Sequence, residues 1–294
     1  MIVRPMQSWF RMLFIWNGSV LQTIIPQLVV LGALSILAVF THGRIFGEKI
    51  PLSPAPFTLF GLTLAVFLVF RNNASYARFV EARQLWGNFL IAARTLTSQL
   101  LCYCPAQAHL VDKLIAATYA LKHQLRSTDP NPDFVRLLGP ERAAELHHKL
   151  YRPVVILNEI RREFAATSEA TRWMLDAQLH ELERCIGGCE RIASTPIPFA
   201  YSVLLHRSVY SYCLLLPFGL VDSTELFTPL LCLFISYTLI ALEAIANEVA
   251  EPFGMAHNAL PLDAIARTIE RSVLELCDRP VPDEVKPTGP YQLT

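Results

Sequence analysis

The fold of this chain follows from the segment PFTLFGLTLAVFLVF (residues 56–70), which runs directly into RNNASYARFVEARQLWGNFLIAARTLTSQLL (residues 71–101). Its first part is apolar enough to enter a bilayer. In its second part, apolar residues recur at helical spacing with Arg and Glu between them, which is typical of an amphipathic helix. We therefore predict a single helix that passes without a break from the membrane into polar surroundings.

Three further apolar stretches cover residues 24–40, 203–221 and 227–242. The first two apolar stretches, 24–40 and 56–70, are short for membrane spans, because a hydrocarbon core of ~30 Å needs ~20 residues, so we expect both helices to extend beyond them. The acidic turn from Asp222 to Glu225 predicts that the last two form an antiparallel hairpin. With 53% hydrophobic and 17% charged residues and no alternating pattern, the chain is predicted to be an all-α membrane protein with four transmembrane helices and a cytoplasmic helical region.

Basic residues near the ends of the spans predict the orientation. Arg4 and Arg11 precede the first span, and Arg71, Arg78 and Arg83 follow the second, so both termini and the middle of the chain are expected in the cytoplasm. The predicted segments are 1–70 with the first two spans, 71–200 as the cytoplasmic helices, 201–246 as the hairpin, and 247–294 as a cytoplasmic helix and tail. Within the middle segment we predict helices over 106–126, 140–165 and 168–192.

Composition and motifs exclude several classes of function. Basic and acidic residues balance at 25 each, so no net field attracts a nucleic acid. The seven cysteines are dispersed and lack a second half-site for zinc, so we predict reduced thiols, no metal and no cofactor. There is no Gly-rich phosphate loop and no nucleophile or zinc-protease motif, so the chain is not expected to be an enzyme.

Leu62, Val66 and Phe70 are the most informative residues of the second span. They lie at i, i+4 and i+8, which places them on one face of a helix. Such a stripe is most often core that packs against another helix. Alternatively, several subunits around an axis would present three apolar rings, and rings of this kind gate ions by dewetting.

Three acidic residues lie at the end of the fourth apolar stretch, in ALEAIANEVAEPFG: Glu243, Glu248 and Glu251. Ionisable groups at this depth are unfavourable unless they face water or a partner, so one hypothesis is an ion pathway or a buried pair. The other is a structural role, in which Glu248 and Glu251 lie past the membrane and pair with arginines.

Several stretches together resemble the bestrophin family, and the resemblance covers nearly the whole chain. They are MIVRP, FIWNGSV, VFRNNASYARFVEARQLWG, GCERIASTPIPFAYSVLLHRSVY and ALEAIANEVAEPFG with NALPLD. The resemblance implies a homopentameric ion channel in a bacterial inner membrane, with a single central pore. It also implies a hydrophobic neck at Leu62, Val66 and Phe70 and a second, cytosolic aperture at Ala170, beside Glu169.

The resemblance also bears on calcium and on the sign of the ion. Calcium-activated members follow Pro-Phe-Gly with acidic residues, whereas Pro252, Phe253 and Gly254 are followed here by MAHNA (255–259), so calcium activation through such a clasp is expected to be absent. A ring of Glu169 side chains would favour monovalent cations. The alternatives are an anion channel, a transporter, and a membrane scaffold that binds a partner protein.

Overall fold

The computed structural model describes residues 1–3, 8–12, 14–16, 18–45, 48–49, 54–288 and 291–294. Arg4, one of the two basic residues that precede the first span, lies outside these residues. In the described part the elements are the helices α1 Trp9–Met12, α2 Leu21–Phe40, α3 Pro54–Tyr103, α4 Leu110–Arg126, α5 Asn131–Leu138, α6 Pro140–His147, α7 Arg152–Glu163, α8 Glu169–Ser194, α9 Phe199–Thr224, α10 Thr228–Ala250 and α11 Leu262–Leu276, and a two-stranded antiparallel hairpin of β1 Arg44–Ile45 and β2 Glu48–Lys49.

The apolar stretches are helices, as predicted. By length and composition, the described helical stretches Leu21–Phe40, Ala55–Tyr103 and Phe199–Ala250 are able to cross a membrane. The last of these consists of α9 and α10, which pack against each other across a short 3-10 turn. The predicted unbroken helix through residues 56–101 is confirmed, because α3 runs continuously over 50 residues.

The turn between α9 and α10 lies later than predicted. Asp222 to Thr224 still belong to α9, and the turn is Glu225–Phe227. The hydroxyls of Ser223 and Thr224 donate to the carbonyl of Leu220, so these polar residues continue the helix.

The predicted helix over 140–165 is wrong, because it is two helices, α6 and α7, separated at residues 148–151. Pro153 sits in the first turn of α7, where its missing N–H is tolerated. Within a longer helix that missing donor would leave a carbonyl unpaired, and the proline ring disfavours the helical conformation at the residue before it. The predictions for 106–126 and 168–192 correspond to α4 and α8.

The chain divides into two compact units. One contains residues 79–195 and 251–294 with the first residues of the chain, and the other contains residues 5–78 and 196–250. In the first unit α4 is buried along nearly its whole length and packs against α5, α7, α8 and α11. The largest fully buried side chains of this core are Trp86, Phe89, Phe134 and Phe164. In the second unit α2, α9 and α10 pack together, and Leu64 and Leu68 of α3 join their apolar core.

The two chain termini lie together in the first unit. The Met1 ammonium group donates to the carbonyl of Leu293 at 2.6 Å, and the backbone of Ile2 bridges to Gln292. The amide of Ala264 in α11 donates to the carbonyl of Thr294. The C-terminal residues are therefore ordered by docking on the N-terminus and on α11.

Candidate functional site

Leu62, Val66 and Phe70, which we call the neck stripe, are exposed in the single chain, with relative accessibilities of 65%, 47% and 61%. The opposite face of α3 is buried through Leu64 and Leu68. The neck stripe is thus not part of the core of its own chain. Three large apolar side chains on one exposed helical face are available to line a path or to meet another molecule.

Close packing against α9 fixes how α3, the helix that carries the neck stripe, is rotated about its axis. A Cβ atom on Gly61 would lie 2.8 Å from the hydroxyl oxygen of Tyr212, so a larger residue at 61 would displace the Tyr212 ring. The rings of Phe57 and Phe60 contact the Tyr212 ring, with centroid distances of 6.1 and 5.8 Å. The small residue at 61 and the aromatic residue at 212 therefore turn the neck stripe away from α9.

Arg71 directly follows the neck stripe in sequence but points into the opposite, buried side. Its accessibility is 6%, and its guanidinium donates to Ser202 Oγ of α9 at 2.8 Å and to Asn247 Oδ1 of α10 at 2.9 Å. We call these three residues the Arg71 cluster. A buried arginine where the apolar part of α3 ends is unfavourable without partners, so this arrangement joins three helices at one point.

Glu243 is buried and is paired, while the other two acids of this region are more accessible. Its carboxylate lies 2.8 Å from His206 Nδ1 of α9, and the charge of Arg71 also acts on it. Glu248 is half-buried and Glu251 is exposed. Glu243 therefore stabilises the contact between α9 and α10.

Glu169 and Ala170, the predicted aperture residues, begin α8 and are both exposed. Ser168 caps this helix by accepting a hydrogen bond from the amide of Thr171. In the described part of the chain, the carboxylate of Glu169 forms no ion pair with a basic side chain. Trp173, one turn further on, is 73% exposed.

Two arginines near Glu169 are held by other groups. Arg172 donates to the carbonyls of Ala165 and Thr167, which fixes the bend that leads into α8. Arg161 binds the carboxylates of Glu183 and Asp176. The hydrogen bonds to Glu183 and Asp176 raise the pKa of Arg161 above its ordinary value despite partial burial, so this arginine is charged but already neutralised.

The sequence did not reveal the Arg71 cluster. Ser202 and Asn247 lie 131 and 176 residues from Arg71, and no local pattern links them. One signal was available: Arg71 lies at i+7 from Leu64, on the stripe opposite Leu62, Val66 and Phe70. A basic residue at a buried helical position needs a polar partner on the facing helices.

No group of three or more His, Cys, Asp or Glu side chains placed to hold a metal ion occurs among the described residues. All seven cysteines are free thiols. Burial raises the pKa of Cys185 to about 11, so this thiol is protonated at neutral pH and is a poor metal ligand.

The chain is similar to several known proteins over almost its full length. A profile of the family described as Bacterial/Fungal Bestrophin protein matches residues 1–275. The voltage-dependent anion channel-forming protein RSc3414 of Ralstonia nicotianae is 43% identical, with 95% of each chain covered. The voltage-dependent anion channel-forming protein YneE of Escherichia coli K12 is 38% identical over all of both chains. The crystal structure of a bacterial bestrophin homologue from Klebsiella pneumoniae is 44% identical, with a TM-score of 0.83, covering 87% of this chain and 99% of that chain.

Helices of membrane-spanning length, with an exposed apolar stripe on one of them and a buried, hydrogen-bonded arginine where its apolar part ends, define a helical integral membrane protein. The profile and the relatives make the assignment specific. The chain belongs to the bestrophin family, in its bacterial and fungal branch.

Proposed function

We propose that this chain is the subunit of a homopentameric channel that passively conducts small monovalent ions across a bacterial inner membrane. The observation that carries the proposal is the neck stripe: three apolar side chains exposed on the face of α3 that lies opposite its buried face. The names of the relatives, which describe channel-forming proteins, support the same class.

In this proposal five copies of the neck stripe form three stacked apolar rings. Water between such rings has few polar partners, and an ion must shed or distort its hydration shell to pass. The neck thus sets the barrier for conduction, while carrying no charge that distinguishes a cation from an anion. The Arg71 cluster supports this role, because it anchors the helix on the side away from the rings.

The proposal is tested by reconstitution. We expect the purified protein to have the mass of a pentamer in mild detergent and to conduct monovalent ions in liposomes without an added energy source. A monodisperse monomer would contradict the pore. Liposomes whose ion flux is unchanged by a pentameric protein would instead favour the scaffold.

The sign of the conducted ion has two candidates, each with an observation in its favour. Glu169 is exposed without a basic partner in the described part of the chain, and five such carboxylates would attract cations, so we propose a cation preference. The anion candidate is favoured by the names of the relatives, and by Arg172 and the partly positive N-terminus of α8 next to Glu169.

Glu169→Gln separates these candidates. If Glu169 selects cations, the variant loses five negative charges per pentamer, and its reversal potential in asymmetric salt shifts away from the cation equilibrium potential. Glu141→Gln is a matched control, because Glu141 is also an exposed glutamate in the first turn of a helix, α6. An unchanged reversal potential in Glu169→Gln would place selection elsewhere, and an anion-selective parent would favour the second candidate.

We also propose that both termini and the unit containing residues 79–195 are cytoplasmic, with segments 1–70, 71–200, 201–246 and 247–294 as the functional divisions. The pairing of Met1 with Leu293 supports one side for both termini. The basic residues after the second span support the cytoplasmic side.

Calcium is expected neither to bind the segment from Pro252 to Ala259 nor to change the conductance at micromolar concentration. The segment has no carboxylate of its own, and the nearby Asp263 is taken by Lys122 and Arg126. Because calcium requires six to eight oxygen ligands, this loop offers too few. Calorimetry that detects a tight site, lost on substitution of Asn258, would contradict the prediction.

A further inference from the structure

Residues 8–16, which we call the aromatic segment, expose an unusual amount of apolar surface. Five large side chains of its described part are more than half exposed, and Trp9 and Phe14 reach 77% and 73%. The five are Trp9, Phe10, Met12, Phe14 and Trp16. Exposed apolar surface of this extent on a protein marks a surface that another phase or molecule covers.

The aromatic segment is compact and stands directly before a membrane-spanning helix. The Phe10 ring contacts both the Trp9 and Phe14 rings, with centroid distances of 5.7 and 5.3 Å. The amide of Ser19 donates to the carbonyl of Trp16, and α2 begins at Leu21. Five residues reach at most about 18 Å even when fully extended, and the turn at Trp16 shortens that reach. Trp16 therefore cannot lie far from the end of the span.

We propose that the aromatic segment lies in the interface of the phospholipid bilayer, with its rings at the level of the headgroups and upper acyl chains and Arg11 at the lipid phosphates. Continuity with α2 carries this assignment, because the segment stands at the membrane surface wherever α2 crosses. Tryptophan rings together with an arginine suit the boundary between water and hydrocarbon.

The start of α9 supports the same level for the bilayer surface. Phe199, its first residue, is 81% exposed, and α9 packs against α2. Tyr201 is also exposed on this turn. Exposed aromatic residues thus also occur at the start of a second membrane helix of the same unit, as in an aromatic belt.

The four tryptophans of the chain allow a direct test, because the other two lie outside the aromatic segment: Trp86 is fully buried and Trp173 is 73% exposed. Variants with a single tryptophan at 9, 16 or 173, made by Trp→Phe substitution at the other positions, are reconstituted into phosphatidylcholine vesicles. Their emission is then measured with lipids brominated at a shallow or a deep acyl position, and with aqueous iodide.

For Trp9 and Trp16 we expect strong quenching by the shallow bromine, weaker quenching by the deep bromine, and little by iodide. Trp173 should be quenched by iodide alone. If Trp86→Phe prevents folding, the Trp9→Phe/Trp16→Phe variant of the otherwise unchanged protein serves instead, and it should lose the bromine-quenched component of the emission. The test does not depend on ion conduction.

Two results would overturn the proposal. Quenching of Trp9 and Trp16 by iodide and not by brominated lipid would mean that the segment is in water. Protection from both quenchers would mean that protein covers the segment, in which case a second copy of the chain is the occupant. In either case a Phe67→Trp variant, placed in the apolar part of α3, must be quenched by brominated lipid to confirm insertion.

Discussion

Replacement of Leu62, Val66 and Phe70 together by alanine is expected to raise the conductance of the reconstituted protein. Each substitution widens the neck and removes apolar surface that water does not wet, so the barrier to a hydrated ion falls. A decrease of about 1.4 kcal/mol in that barrier corresponds to about a tenfold increase in rate. The ratio of cation to anion permeability should change much less, because the neck carries no charge. Single-channel recording in planar bilayers measures both quantities.

A matched control is available on α2. Leu37, Val30 and Phe40 are the same three residue types, are exposed to a similar or greater degree, and lie on a membrane helix outside the proposed neck. Their triple alanine variant should conduct like the parent. If the neck variant is pentameric and folded but conducts no better than this control, the neck stripe faces lipid or a neighbouring subunit, and the pore lies elsewhere.

Much of the architecture follows from short-range patterns in the sequence. Helical spacing at residues 62, 66 and 70 identified a single face of α3, and the structure leaves that face exposed while it buries Leu64 and Leu68. Periodicity tells which residues share a face. It does not tell whether the face meets its own chain, a second copy or lipid, because that depends on surfaces far away in sequence.

The sequence-based predictions that differ from the structure differ for local physical reasons. The polar residues 222–224 predict a turn, but the hydroxyls of Ser223 and Thr224 donate to the carbonyl of Leu220 within α9, which satisfies them inside the helix. The helix predicted over 140–165 ignored Pro153, which starts a new helix more readily than it continues an old one. The polar partners of Arg71 were beyond reach, because they depend on how α9 and α10 pack against α3.

Loss of the Arg71 cluster is expected to lower the stability of the protein considerably. Arg71→Gln is expected to destabilise the membrane unit, because it removes two hydrogen bonds from a charged donor and leaves Ser202 and Asn247 without it. Hydrogen bonds to charged groups contribute about 1.5–3 kcal/mol each, and Asn247 is exposed, so the low end applies and the loss should be about 3 kcal/mol. In a chain of this size that corresponds to a decrease of about 10 °C in the apparent melting temperature, measured in detergent.

Ser202→Ala and Asn247→Ala should each show a smaller decrease in the melting temperature. Arg207→Gln is the control, because Arg207 is an exposed arginine on α9.

Stability alone does not separate a positioning role from a general structural one, so the orientation of the neck helix is read directly. A Val66→Cys variant should react with a water-soluble thiol reagent that enters the pore, and Arg71→Gln in that background should change the reaction rate, since the helix is then free to rotate about its axis. Arg207→Gln should leave the rate unchanged. If the thiol of the Val66→Cys variant does not react while Arg71 is present, that result would count against the neck itself. If the thiol reacts at a rate that Arg71→Gln does not change in a folded pentamer, the neck is retained. In that case the contact of Gly61 with Tyr212 orients α3 without the arginine.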